Sequence, residues 1–503
     1  MQDNPQSALN ADRRRRELSD LGERPEIDVL VIGGGITGVG TALDAASRGL
    51  RTVLVDKHDL AFGTSRWSSK LAHGGLRYLA SGNVGIARES AVERGILMTR
   101  TAPHLVRALP QLVPLLPSVS LFEKTLVRIG FLAGDALRAT ARTPSSVLPR
   151  SRRIGAGKTT ELAPTVRRAG LRGGLLAYDG QLVDDARLVV ALARTAAAHG
   201  ASVLTRVGAY DVTGDSARLR DELTGEEMTI RARAVVNAAG VWAGQVDPDI
   251  RLKPSRGTHL VLPAQLLGNP TAALTVPIPG ETNRFVFALP AQLGRVYLGL
   301  TDEAVDGPVP DVPVASDGEI DFLLDTVNTA LATPLTRSDV LGTFAGLRPL
   351  LDTGEGKTAD LSRNHAVLRS SNGVVSVVGG KLTTYRKMAQ DAVDAAVEAG
   401  GLTARACTTT NLPAVGASTV APRNLPASLV ARYGSEAGLV AEAGELTPIA
   451  DGIDVTHAEL AFAVSHEGAL DVDDLLDRRT RIGLVPADRA SAVAAAERAL
   501  SGR

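Results

Sequence analysis

Between Ile27 and Asp56 the chain passes through three patterns in about thirty residues. Ile27 to Ile32 (IDVLVI) is a short apolar run, three glycines follow, and Ile36 to Arg48 then repeats its apolar positions at helical spacing. Gly49 suits the residue that ends such a helix. Thr52 to Val55 is a second apolar, β-branched run and stops at Asp56. Strand, turn, helix and strand at this length form a βαβ unit, which implies a parallel sheet.

Further runs extend the picture. A helix-like segment spans Asp184 to His199, and Ser202 to Leu204, Ala234 to Val236 and Val374 to Val378 read as more strands of the first sheet. Gly379-Gly380-Lys381 then turns into a helix from about Thr383 to Ala399. In between, HLVLP, RFVFALP and RVYLGL alternate as antiparallel strands do, within Leu252 to Thr301. A second, antiparallel domain inserted into the first is the expectation. Lys124 to Ala139 reads as an amphipathic helix, suited to packing on the body or to a membrane surface. After Gly401 comes a Pro-, Thr- and Ala-rich linker of modest order, and the remainder is mostly helical. There Asp474 with Arg478 and Asp477 with Arg481 lie four apart, the ordinary design of an exposed helix face.

Composition narrows the classes. The 503 residues allow two or three domains, and 55 Lys and Arg balance 55 Asp and Glu, so no net field draws nucleic acid. Anion recognition must come from local clusters. The single cysteine, Cys407, suits a reducing cytoplasm and forms neither an internal disulfide nor a metal site. Arg13 to Arg16 sit in a polar N-terminus with no apolar stretch behind them, read as a disordered lead-in. No run of eighteen uncharged apolar residues exists to span a bilayer.

The chemistry starts at the glycines. Gly33, Gly35 and Gly38 fit G-x-G-x-x-G with a strand before and a helix after, the arrangement that brings a pyrophosphate to a helix N-terminus. Asp56 stands where a carboxylate accepts from an adenosine ribose, and an acid there argues against NADP. Two later glycine turns, VVNAAGVWA with Gly240 and VVSVVGGKLTTYRK with Gly379, Gly380, Leu382 and Thr383, return to the nucleotide. Each alone is an ordinary strand-to-helix turn. The pair favours a flavin, since a helix starting near Leu382 would meet the negative charge of the reduced ring.

GGGITG, TSRWSSKLAHGGLRYL, VDDARLV, GTHLVLP, GLTD, GLRPL and GGKLTTYRK together resemble the FAD-dependent glycerol-3-phosphate dehydrogenases over roughly residues 25 to 400. DLLDRRTRIGL resembles that family's C-terminal helical domain. The resemblance implies an α/β fold of the D-amino-acid-oxidase type: a Rossmann-like FAD domain (about 25–101, 178–250 and 342–405), an inserted antiparallel-sheet substrate domain (about 102–177 and 251–341), and a C-terminal helical domain (425–503). It implies oxidation of sn-glycerol 3-phosphate to dihydroxyacetone phosphate by a peripheral enzyme on the cytoplasmic face of the cell membrane, with non-covalent FAD, no metal and electrons passed to a quinone. A homodimer stays open. Thr64, Ser65, Ser69, Gly74, Gly75 and Val207 are assigned to the cofactor by the same resemblance. His73 is expected near the ring, Arg77 and Tyr78 facing the substrate, and Arg348, Arg363 and Lys381 in the same pocket. A phosphate dianion beside a secondary alcohol needs several cationic donors and a base. His73, His259 and Arg348 are the catalytic candidates. Arginine stays protonated, so its role is to stabilise developing alkoxide charge, and the two histidines are left unranked.

Three rivals share the fold: an oxygen-using glycerol-3-phosphate oxidase, an amine or amino-acid oxidase, and a non-catalytic flavin-binding regulator. An amino-acid oxidase has no use for four cations, and a regulator has no need of the pocket residues.

Overall fold

The two apolar runs lie side by side as the parallel strands Glu26–Ile32 and Thr52–Asp56. The computed structural model describes residues 5–75, 83–117, 121–281, 284–352, 365–418 and 422–502. Glu227–Asn237 and then Val375–Gly379 continue the parallel sheet on one side, and Ser202–Thr205 on the other. His365–Arg369 closes one edge antiparallel. Such a sheet is covered on both faces, which is why Val29, Leu30 and Val31 are consecutive and all fully buried. Helices Ile36–Ser47, Asp185–Ala198 and Tyr385–Ala399 cover one face. The other packs Ile27, Leu30, Val53 and Val55 against the hairpin Val207–Tyr210 and Ser216–Asp221 and against Leu21.

Leu21 belongs to the N-terminal stretch, and here the expected disorder is overturned. Ala11–Glu23 is a helix, N-capped by the Asn10 side chain, which accepts from the Arg13 N–H. Its polar composition conceals its anchors. Arg14 is buried, its guanidinium forked onto Asp221 at 2.7 and 3.1 Å and donating to the Thr205 carbonyl at 2.8 Å. Arg13 pairs with Glu17 at 2.7 Å and Arg15 with Asp12, so three of the four arginines have partners within the chain.

The second sheet is mixed and almost entirely antiparallel. Its order runs Glu303–Ala304, Ser255–Pro263, Arg295–Gly299, Phe285–Ala291, Ala273–Pro277, Val106–Pro114, Gly174–Leu182 and Leu71–Ala72. Helix Asp317–Asn328, started by a Ser316–Glu319 capping box, seals one face over Leu260, Leu262 and Leu298. The expected boundaries shift in three places: Leu71–Ala72, expected in the nucleotide part, pairs with Gly174–Leu182 in the second sheet. Gly342–Arg348, assigned to the nucleotide part, pairs with Ser255–Pro263, and Gly174–Leu182 crosses the expected border at 178. Strand pairing is a long-range contact that local pattern does not report. The Leu121–Thr140 helix lies alongside Val84–Ile96. Among the described residues no helix is long and apolar enough to cross a membrane.

The C-terminal part, with helices Ala427–Tyr433, Ala437–Glu442, His457–His466 and Pro486–Ser501, docks through buried ion pairs. Arg187 forks onto Glu467 at 2.7 and 2.9 Å, and Arg194 meets Glu436 at 2.7 Å. Asp474, Arg478 and Arg481, expected on an exposed face, are 1%, 3% and 1% exposed. Asp474–Arg479 is a π-helical turn, so four-residue spacing no longer marks one solvent face. The linker is ordered where described: Ala414 N–H donates to the Thr101 carbonyl at 2.8 Å and Val415 N–H to Thr195 Oγ1 at 3.0 Å.

Breaking a buried ion pair leaves an uncompensated charge, so Arg14→Ala is expected to destabilise the protein by about 3 kcal/mol. A shift in the urea midpoint at pH 7 measures it, and an unchanged midpoint would mean the N-terminal helix adds nothing to the fold.

Candidate active site

The turn after the first strand is built from close contacts that exclude side chains. Gly33 has φ +115°, and a Cβ there would lie 2.5 Å from the Ala238 carbonyl oxygen, while one on Gly38 would lie 1.8 Å from the Gly33 oxygen. The helix start is therefore packed directly on the strand ends, at the point where the chain leaves Glu26–Ile32 for one neighbour and later returns on the other side. Gly35, Ile36 and Thr37 line a cavity of about 880 Å³ there, within the range that holds a large organic ligand. The helix's positive end faces into it.

Asp56 lines the same cavity. Its carboxylate accepts from the Gly34 N–H at 2.6 Å and the His58 N–H at 2.7 Å. Asp56 is half-buried at the cavity wall, and its partial removal from water pushes its carboxyl up to about 6 against the pull of both N–H groups. Ser65 Oγ accepts the Ile36 N–H at 2.9 Å, Thr64 Oγ1 donates to the Leu347 carbonyl at 2.6 Å, and Thr64, Ser65, Ser69, Val207 and Gly240 all line the cavity.

His73, Gly74, Gly379, Gly380, Lys381, Leu382 and Thr383 line it too, with the His73 N–H on Thr383 Oγ1 at 3.2 Å. Gly75, with φ +76°, packs on Ala87 and Ser90 behind this wall. Lys381 Nζ donates to Ser90 Oγ at 2.5 Å. Arg348 reaches the cavity from the second sheet, pinned by Asp302 at 2.8 Å, Ser255 Oγ at 3.1 Å and the Thr301 carbonyl at 3.0 Å. Residues some three hundred positions apart thus share one enclosure. Arg77, Tyr78 and Arg363 lie outside the described residues.

Among the three catalytic candidates His259 is the exception. It does not line the cavity: its ring is fully buried, stacked on Phe344 at 4.7 Å, and its Nε2 is 2.9 Å from Ser69 Oγ. Burial, with Lys70 and Arg348 nearby, holds its imidazole well below the usual range, hence neutral. One hydroxyl stands between it and the cavity, a consequence of strand alternation that a linear motif does not show.

Arg94 and Asp179 went unread. Asp179 lines the cavity, takes Arg94 at 2.6 Å and accepts the Gly74 N–H at 3.0 Å, so it holds the glycine pair in place. A carboxylate inside the strand GLLAYDGQL was the available signal. Among the described residues no group of three or more His, Cys, Asp or Glu could hold a metal ion.

A helix start for a pyrophosphate, a carboxylate for a ribose and glycine-lined walls for a ring suit a flavin dinucleotide. Residues 28–386 match the family model described as FAD dependent oxidoreductase, and residues 407–500 that of the C-terminal domain of alpha-glycerophosphate oxidase. The class is a flavin-dependent oxidoreductase of the D-amino-acid-oxidase type, with FAD as cofactor. Over 98% of its length the chain is 65% identical to glycerol-3-phosphate dehydrogenase 1 of Mycobacterium tuberculosis, covering 99% of that protein. It is 37% identical to a glycerol-3-phosphate dehydrogenase of Mycobacterium leprae over 95% of this chain and 85% of the other. The structure of the Bacillus halodurans glycerol-3-phosphate dehydrogenase complexed with FAD is similar at TM-score 0.74 and 27% identity, covering 98% of this chain and 94% of that one. The chain belongs to the FAD-dependent glycerol-3-phosphate dehydrogenase family.

Because the Asp56 carboxyl sits at about 6 in the folded chain and ordinarily at 3.8, its ionisation opposes folding. Its contribution is most favourable below the ordinary value and is lost as pH rises through 6. Between pH 4.5 and 7 the FAD-free protein should lose about 1–3 kcal/mol relative to Asp56→Asn, read from denaturant unfolding at each pH. A pH-independent difference would show an ordinary carboxyl.

Proposed function

We propose that the chain oxidises sn-glycerol 3-phosphate to dihydroxyacetone phosphate and passes the electrons to a membrane quinone. The observation that carries this reading is the convergence of Arg348, Lys381 and His73 on the cavity that also takes the glycine turn and Asp56. FAD, when bound, supplies the acceptor of a hydride equivalent. Gly33, Gly35, Gly38 and Asp56 would hold its dinucleotide end; Ser65, Ser69, Gly74, Gly379, Gly380, Leu382 and Thr383 would enclose its ring.

Lys381 is the donor for the substrate phosphate. Arg348, oriented by Asp302 and Ser255, presents a fixed fork toward the reacting oxygen. His73 is the base for the hydroxyl proton, because it lines the cavity while His259 is separated from it by Ser69. His259 acts through the Ser69 hydroxyl, which it orients as a neutral ring.

The membrane part of the reading draws on one face. The Leu121–Thr140 helix leaves Ile129 58% and Leu132 50% exposed. Residues 102–178 carry twelve Lys and Arg against three Asp and Glu, in a chain whose totals balance. Exposed apolar side chains on a helix within a basic stretch of sequence suit an anionic bilayer.

Glycerol 3-phosphate added without oxygen should bleach the flavin's visible band; a band that persists rejects the substrate. Quinone reduction without peroxide supports the acceptor, and peroxide release favours an oxidase. Arg348→Ala should lower kcat/KM about 10²–10³-fold, and His73→Ala should lower kcat about 10²-fold and remove the acidic limb of its pH profile. An unaltered limb in His73→Ala assigns the base elsewhere.

Leu132→Asp, which lies outside the cavity lining, should weaken co-sedimentation with vesicles containing phosphatidylglycerol while leaving turnover of a soluble dye acceptor intact. Undiminished sedimentation removes this face from the reading.

A further inference from the structure

The loop from Asp56 to Lys70 lines the cavity with Phe62, Thr64, Ser65, Trp67 and Ser69, and its back rests on the C-terminal segment around Asp474–Arg481. Asp59, fully buried, takes Arg478 Nε at 2.7 Å and both terminal nitrogens of Arg479 at 2.7 and 2.9 Å. Arg481 donates to the Arg66 carbonyl at 2.6 Å, the same oxygen that accepts Lys70 Nζ at 2.9 Å. Its guanidinium also lies over the Trp67 ring at 5.0 Å, while Arg66 covers that ring at 4.2 Å.

Three residues on these contacting segments are held in the left-handed region without being glycine: Ala61 at φ 58°, Lys70 at 57° and Arg481 at 63°. Side chains rarely adopt it unless their surroundings over-determine the backbone. Buried ion clusters are a poor source of net stability, since apolar packing of the same volume often does as well. Forked, charge-assisted hydrogen bonds supply direction instead. The cluster lies directly behind the wall that a cofactor would touch.

From this we infer that Arg478, Arg479 and Arg481 are positioning residues for the cofactor site. They fix the Asp56–Lys70 loop so that Ser65 meets the Ile36 N–H and Trp67 and Ser69 face the cavity. The C-terminal domain is thereby part of the apparatus that holds FAD. Arg481 matters most, because it grips the loop at both a peptide oxygen and a ring. The inference rests on the reading that this cavity is the FAD site.

The test titrates FAD into FAD-free wild type, Arg481→Gln, Arg481→Lys and Arg432→Gln, following flavin fluorescence, with thermal unfolding of each protein recorded in parallel. Arg432 is a buried partner of Glu459 at 2.7 Å inside the C-terminal domain and serves as the control for stability alone. Arg481→Gln should weaken FAD binding about ten-fold or more, and Arg481→Lys should restore part of it. Arg432→Gln should lower the unfolding temperature and leave FAD affinity unchanged. If Arg481→Gln does not fold, Arg481→Lys decides, with about three-fold weakening expected. Wild-type affinity in the folded Arg481 variants overturns the inference, and so does equal weakening in Arg432→Gln. Failure of the wild type to bind FAD overturns the site reading instead.

Discussion

Gly33 lies so close to the Ala238 backbone, and Gly38 to Gly33, that no side chain fits between them, and the rest of the cavity is arranged around that contact. It brings the start of the Ile36–Ser47 helix to the ends of two parallel strands, with the peptide dipoles aimed at one place. Asp56 is drawn into the same turn by the Gly34 N–H, and Ser65 reaches across to the first helical N–H. Each later element finds its place relative to this one.

The second structural theme is how the charges are used. Of 55 basic and 55 acidic residues, many of the decisive ones are paired inside the protein. Arg14 with Asp221, Arg187 with Glu467, Arg194 with Glu436 and Lys70 with Asp185 tie the N-terminal helix, the central helix layer and the C-terminal domain together. With aromatic residues only 3% of the chain, large rings are scarce as locators of one domain on another. Forked arginines take that part, at the cost of burying ions that must all be matched.

Along the cavity the two sheets contribute different chemistry. The parallel sheet offers glycine turns, a helix start and a carboxylate, all of them backbone-dominated and suited to a dinucleotide. The antiparallel sheet brings Arg348 in a fixed frame of Asp302, Ser255 and Thr301. Asp179 and Arg94 join the two by holding Gly74 where the sheets meet. In the proposed reaction the guanidinium is a donor set before substrate arrives, because its frame is already in place.

The first βαβ unit, the second sheet's alternating strands, the glycine turns and Asp56 were legible from residue order alone, because periodicity and turn chemistry act within a few positions. Arg348 and Lys381, which line the cavity, were named through a resemblance spread over long motifs. Other features belonged to the tertiary structure: the helix hidden in a polar N-terminus, the pairing of Gly342–Arg348 with Ser255–Pro263, the burial of Arg478 and Arg481, and the withdrawal of His259 behind Ser69. Each depends on a partner far along the chain. A guanidinium looks solvated until its carboxylate is known, and a strand residue shows its face only when the neighbouring strand is in place.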